Sequence, residues 1–187
     1  MDDAIRRTLA DIASFLAERG TSFALIGGIA VAVRGEPRFT ADVDLVISAD
    51  VDAALELLES THGSTFAPLF DGADEVVRKS FILPLRHRET GIKLDIAVGL
   101  TGFERQLVSR APLESMGAFS IPVATPEDLL LMKALAARPR DIDDARSIVE
   151  KGGATLDWEY ILDTGRELGQ AIEQDLAGQL RALREGR

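Results

Sequence analysis

The stretch LIGGIAVAVRGEPRFTADVDLVIS, residues 25–48, decides how this chain is read. Two apolar runs, Phe23-Ala24-Leu25-Ile26 and Val43-Leu45-Val46-Ile47, have the composition of strands. The side-chain period of 2 then places Asp42 and Asp44 on one face of the second strand. Two carboxylates sharing a face can hold a cation together, and hard oxygen donors suit Mg²⁺, which keeps waters and bridges to substrate phosphates. Gly27 and Gly28 fit the complementary task. Without a Cβ, a glycine pair at a strand end lets the backbone approach phosphates, assisted by the N-terminus of a following helix.

A third carboxylate is expected from Lys93-Leu94-Asp95-Ile96-Ala97-Val98, where Asp95 alone interrupts an apolar strand. Alternation puts Asp95 opposite Leu94 and Ile96, on the face of Asp42 and Asp44 if the two strands are neighbours. Three clustered carboxylates repel unless positive charge sits among them, which is the physical case for metal at this position. The competing reading is an Asp95 that simply faces solvent on a half-exposed sheet.

Outward from this centre the pattern is α/β, then purely helical. Ile5, Leu9, Ile12 and Leu16 recur at helical spacing from about Asp3 to Arg19, with Gly20 as the stop. Val51 to Glu59 reads as a helix, Gly63 to Gly72 as loop or irregular edge, and Glu75 to Leu85 and Ile92 to Val98 as a strand pair joined by the polar turn 87–91. A short helix over Phe103 to Val108 and a last strand over Phe119 to Val123 follow. Thr125 as N-cap, Pro126 at the first helical position and Glu127-Asp128 in the first turn start a helix running to about Ala137. A further helix is expected after Pro139, and one or two more over Trp158 to Arg184. The expected fold is therefore α/β (α+β), a mixed sheet flanked by helices, with a core over residues 1–124 and a helical C-terminal part over 125–187 packed on it.

Composition narrows the function classes. The 187 residues contain no cysteine, which excludes disulfides, thiolate catalysis and Cys-ligated zinc. No apolar run approaches the roughly 18 residues of a membrane span and MDDAIRR has no signal-peptide core, so the cytoplasm is the expected location and no membrane partner is expected. The net charge of −10 argues against broad sequence-independent nucleic-acid binding, while leaving room for a local basic patch. His62 and His87 have no metal-ligand spacing and are expected at the surface; Trp158 and Tyr160 are expected to anchor the C-terminal helices.

An apolar residue, Gly-Gly, a gap, Asp-x-Asp between apolar residues and a later lone Asp on a strand resemble the DNA polymerase β-type nucleotidyltransferase superfamily. TPEDLLLMK, residues 125–133, and RPRDIDD, residues 138–144, are similar to the helical segment of its AbiEii-like branch, which includes toxins of abortive-infection and toxin–antitoxin systems. The resemblance implies roles residue by residue. Gly27 and Gly28 would hold nucleotide phosphates, Asp42 and Asp44 would ligate Mg²⁺ or Mn²⁺, and Asp95 would be third ligand or base. Lys133 would meet the triphosphate, with Asp141 or Asp144 as the acidic position after it, one of which would only pair with Arg138, Arg140 or Arg146. Arg38 and Thr40 would be further phosphate contacts.

What the resemblance implies is a two-metal transfer of NMP from an NTP to a hydroxyl, with a toxin-like enzyme acting on tRNA or another RNA, and a cognate antitoxin, as one setting. The alternatives are a small-molecule, antibiotic-type nucleotidyltransferase and a non-catalytic nucleotide- or partner-binding module of antitoxin type.

Overall fold

The computed structural model describes residues 2–36 and 40–186, and the chain divides into two compact units: Met1–Ile29 with Phe39–Ala124, and Ala30–Arg38 with Thr125–Arg187. Among the described residues no helix is long and apolar enough to cross a membrane.

The first unit is built on a mixed five-stranded sheet in the order β1-β2-β5-β4-β3, from β1 (Phe23–Ile26), β2 (Val43–Ile47), β3 (Phe66–Pro68), β4 (Ile82–His87) and β5 (Lys93–Val98). Only β2 and β5 are parallel; β1 with β2, β5 with β4 and β4 with β3 are antiparallel. The turn at 87–91 closes the β4–β5 hairpin with the amide of Gly91 donating to the carbonyl of His87. Leu45, Ile47, Leu83, Leu85, Leu94, Ile96 and Val98 alternate onto one face and are buried. Helix α1 (Asp3–Ala17) covers that face, its Phe15 ring meeting Phe66 edge-on at 5.3 Å. Asp2 caps α1 by accepting from the Ala4 amide, and Ile5, Leu9, Ile12, Phe15 and Leu16 form its buried stripe. Helices α3 (Val51–Glu59) and α5 (Gly102–Arg110), and the small hairpin β6 (Leu113–Ser115) with β7 (Ser120–Pro122), complete the unit.

Two expectations need correction. Glu75 to Leu85 is not one strand: Ala73–Ser80 is helix α4, and the strand begins at Ile82. Asp74 and Glu75 in its first turn and Arg78 and Lys79 in its last complement the helix dipole, and Glu75 accepts from Lys79 at 2.8 Å. The adjacent valines suggested a strand, but only Val77 joins Ala73 in the core, and Phe81 ends the helix at φ 56°. His87 is not at the surface. It is fully buried, with the Thr90 amide donating to Nδ1 at 3.1 Å, so Nε2 carries the proton and donates to Asp11 Oδ2 at 2.9 Å. His62 is exposed, as expected.

The second unit comprises residues 30–34 of helix α2 (Gly27–Arg34) and helices α6 (Pro126–Ala136), α7 (Pro139–Gly152), α8 (Trp158–Ala171) and α9 (Leu176–Arg184). Lys151 Nζ donates to the carbonyls of Val33 and Gly35, placing a cation at the C-terminal end of α2. Thr125 caps α6 as expected, accepting from the Asp128 amide at 3.1 Å. Tyr160 does anchor α8: its hydroxyl donates to the buried Asp128 Oδ1 at 2.6 Å.

Candidate active site

Sheet order brings the predicted carboxylates together. Strands β2 and β5 are parallel neighbours with Asp44 abreast of Asp95, so the two side chains leave the same face of the sheet from strands about 4.8 Å apart in the hydrogen-bonding direction. This is the face opposite the one α1 covers: Lys93 and Asp95 are exposed, while Leu94 and Ile96, which alternate with them, are buried. Asp42 lies just ahead of β2 and is exposed; Asp44 is half-buried.

The glycine pair has a visible role in seating Asp44. Strand β1 passes without a loop into α2, and Gly27 makes the turn at φ 64°, a conformation that favours glycine. A Cβ at Gly27 would overlap the Asp44 carboxylate, so the missing side chain makes room for it. The Gly28 amide, at the N-terminus of α2, points to Asp44 Oδ2 at 3.4 Å. Thr40 Oγ1 donates to the Asp42 carbonyl at 3.4 Å, bracing the turn into β2. Arg38 lies outside the described residues.

Charge at this face is poorly compensated. Burial first, and then the Asp42 charge, raises the Asp95 carboxyl above the ordinary carboxylate range, and Lys93 opposes them. Neither Asp42 nor Asp95 has an ion-pair partner within 4.0 Å among the described residues. The donor set, carboxylates on adjacent strands, fits a hard divalent cation chemically. The side chains are not closed around one: among the described residues no three carboxylates or histidines are disposed to hold a metal ion.

The acidic residues of the second unit are arranged differently. Lys133 on α6 is buried and donates to Asp141 Oδ1 at 2.9 Å and meets Asp144 Oδ2 at 2.8 Å, both on α7. Arg138 Nε adds a bond to Asp141 Oδ2 at 2.6 Å. Their spacing of one helical turn lets both Asp141 and Asp144 face the same lysine. Burial pushes the Asp141 carboxyl up, but the bonds from Arg138 and Lys133 and their charges outweigh it, leaving it below the ordinary range. The residues that sequence reasoning missed are Asp11, Thr90 and Asp128, polar partners whose only signal lay in tertiary pairing.

A mixed sheet with two carboxylates abreast on neighbouring strands, next to a glycine turn opening a helix, defines a protein of the nucleotidyltransferase fold class. Solved structures agree. The antibiotic-resistance factor ANT(2″)-Ia in solution superposes with a TM-score of 0.60 at 16% identity, over 92% of this chain and 97% of that one. Its complex with adenylyl-2″-tobramycin gives 0.58 at 14%, over 94% and 96%. An antigenic nucleotidyltransferase-like protein from Paracoccidioides brasiliensis gives 0.56 at 20%, over 97% and 94%. No curated protein matches the chain in sequence. Residues 8–182 match the family described as nucleotidyl transferase AbiEii toxin, type IV toxin–antitoxin system, and the chain belongs to that family.

Proposed function

We propose that this protein transfers a nucleoside monophosphate from an NTP to a hydroxyl acceptor, using Asp42, Asp44 and Asp95. The observation that carries the reading is the placement of Asp44 abreast of Asp95 beside the Gly27-Gly28 turn. Asp42, Asp44 and Asp95 would hold Mg²⁺ or Mn²⁺, which when bound neutralises the carboxylates and polarises phosphoryl oxygens. The acceptor oxygen attacks the α-phosphorus, the bond to the bridging oxygen of the β-phosphate breaks, pyrophosphate leaves, and the proton goes to a carboxylate oxygen of Asp95.

Gly27 and Gly28 leave backbone open to the nucleotide phosphates at the start of α2, with Arg38 and Thr40 as further phosphate contacts. Lys133 meets the triphosphate with the N–H its two carboxylate partners leave over, and Asp141 and Asp144 orient it. The acceptor is RNA, in keeping with the toxin description of the family, with a cognate antitoxin as partner and the cytoplasm as location. A second acceptor class, a small molecule, is favoured by the net charge of −10 and by the adenylyl-tobramycin seen with ANT(2″)-Ia.

The test is incubation with Mg²⁺, each α-labelled NTP in turn, and total RNA or an aminoglycoside set. Label transferred by the natural chain and lost in the Asp42→Asn, Asp44→Asn variant supports the reading. Label that persists in the variant, or that reaches neither acceptor class, overturns it.

A further inference from the structure

The face that carries Asp44 and Asp95 continues into a pair of cations. In the β4–β5 ladder Pro84 is opposite Asp95 and Arg86 is opposite Lys93. Lys93 is two residues before Asp95 on the same strand, so Arg86, Lys93, Asp95 and Asp44 share one side of the sheet. Arg86 and Lys93 are both exposed, and neither has an ion-pair partner within 4.0 Å among the described residues. Directly opposed antiparallel residues stand about 4.5–5.5 Å apart at Cβ, and like charges in that position weaken a sheet. Lys93 is partly offset by the neighbouring carboxylates, its charge opposing the rise of the Asp95 carboxyl. Local folding therefore gives no reason for the pair, whereas an anion bridging both would.

The order of strands says which anion. Gly27 and Gly28 adjoin β2 from the β1 side, since Ile26 pairs with Asp44, whereas Arg86 and Lys93 sit on the far side, at β5 and β4. In an in-line displacement the leaving pyrophosphate and the attacking oxygen lie on opposite sides of the reacting phosphorus. With the nucleotide's phosphates at the glycine turn, the acceptor occupies the β4–β5 side. A polycationic acceptor would be repelled there; a phosphodiester would be held.

We propose that Arg86 and Lys93 form the subsite that grips a backbone phosphate of a polynucleotide acceptor next to its reacting hydroxyl. The inference rests on the nucleotidyl-transfer reading and names the residues that would hold its RNA acceptor. It also reconciles an acidic chain with RNA: a local pair of cations suffices when only the acceptor end must be held, and the general affinity for nucleic acid stays low.

The test measures binding and turnover separately, on the full chain. Fluorescence anisotropy with a short dye-labelled single-stranded RNA is read over a salt series for the natural chain, Arg86→Gln, Lys93→Gln, the conservative Lys93→Arg, and Arg78→Gln on exposed α4 as a control of equal charge change. Loss of one cation is expected to weaken RNA binding roughly three- to tenfold and lower the salt slope by about 1, with Lys93→Arg and Arg78→Gln close to the natural chain. In turnover assays the KM for RNA rises while the KM for the NTP holds. A rise in the NTP KM instead would assign the phosphate to the nucleotide and overturn the proposal, as would unchanged RNA binding in both glutamine variants. If transfer is absent with every acceptor while RNA binding still depends on Arg86 and Lys93, it is the transfer reading that fails.

Discussion

The two units treat the same chemical group in opposite ways. In the second, Asp141 and Asp144 are buried against Lys133 with Arg138 added, and the Asp141 carboxyl is held below its ordinary range. In the first, Asp42 and Asp95 stand on an open sheet face without an ion pair among the described residues, and the Asp95 carboxyl is raised. A carboxylate already neutralised by protein contributes to the fold; one left uncompensated carries a folding penalty that a ligand can relieve. The difference separates carboxylates whose charge the protein compensates from carboxylates whose charge it leaves open.

The largest effect tests the open face. Replacing Asp42 and Asp44 by Asn is expected to lower labelled-NMP transfer by about 10²–10⁴-fold, because two of the three carboxylates that would hold the cation are lost. Thermal melting should stay nearly level, since the repulsion removed at Asp42 offsets the weakened Gly28 bond to Asp44. A variant that lost activity by unfolding would break the comparison, because it would make these carboxylates structural as well.

The buried cluster should respond in the opposite sense. Lys133→Met leaves two buried carboxylates without their lysine, and breaking a buried pair by removing one partner costs about 3–5 kcal/mol. For a chain of this size each kcal/mol lowers Tm by roughly 2–4 °C, so a fall near 10 °C is expected by calorimetry. If melting held while the KM for NTP rose steeply, Lys133 would belong chiefly with the substrate. Gly27→Ala should also destabilise, by about 1 kcal/mol from its φ of 64° plus the displacement of Asp44, and should reduce transfer along with stability.

How legible this was from sequence depends on whether a residue's partner is local. That Asp44 and Asp95 share a face was legible because strand alternation is strict: an isolated Asp in LDIAV has one face available, and the parallel pairing of β2 with β5 supplies the rest. Thr125 was legible because a cap bonds within three residues. Helix α4 was misread because EVVRKS has strand-like valines inside a helix-like charge pattern, and in a two-turn element the end charges outweigh the apolar pair. His87 was misread because its partner, Asp11, is 76 residues away and no spacing rule reaches it. The joint use of Asp141 and Asp144 by one lysine needed the turn between α6 and α7, where Ala137 at φ 49° reverses the chain.

Acid should separate the two clusters further. The depressed Asp141 contributes stability that is present above the ordinary carboxylate pKa of about 3.9 and is lost as pH falls through its lower folded value. Melting of the natural chain should therefore drop steeply at the acid end. In Asp141→Asn that drop should be shallower, on a lower plateau at neutral pH. Equal acid limbs in the two proteins would mean that Arg138 and Lys133 do not bias Asp141 in solution.

The smallest effect has the sign that distinguishes the open face most sharply. Because the folded pKa of Asp95 is raised, its contribution is fully present below the unfolded value and is lost as pH rises through the folded one. Asp95→Asn should thus match the natural chain in acid and exceed it at neutral pH. Asp95 is exposed, and solvent screening limits the gain to under about 1 kcal/mol, or roughly 3 °C. Millimolar Mg²⁺ should raise the Tm of the natural chain at neutral pH and close that gap, since a cation among the carboxylates supplies what the protein does not. Asp141→Asn should keep its response to Mg²⁺, because its partners are already in place. A Tm of the natural chain that is indifferent to Mg²⁺, with or without NTP, would mean that the carboxylates of this face do not take up the cation.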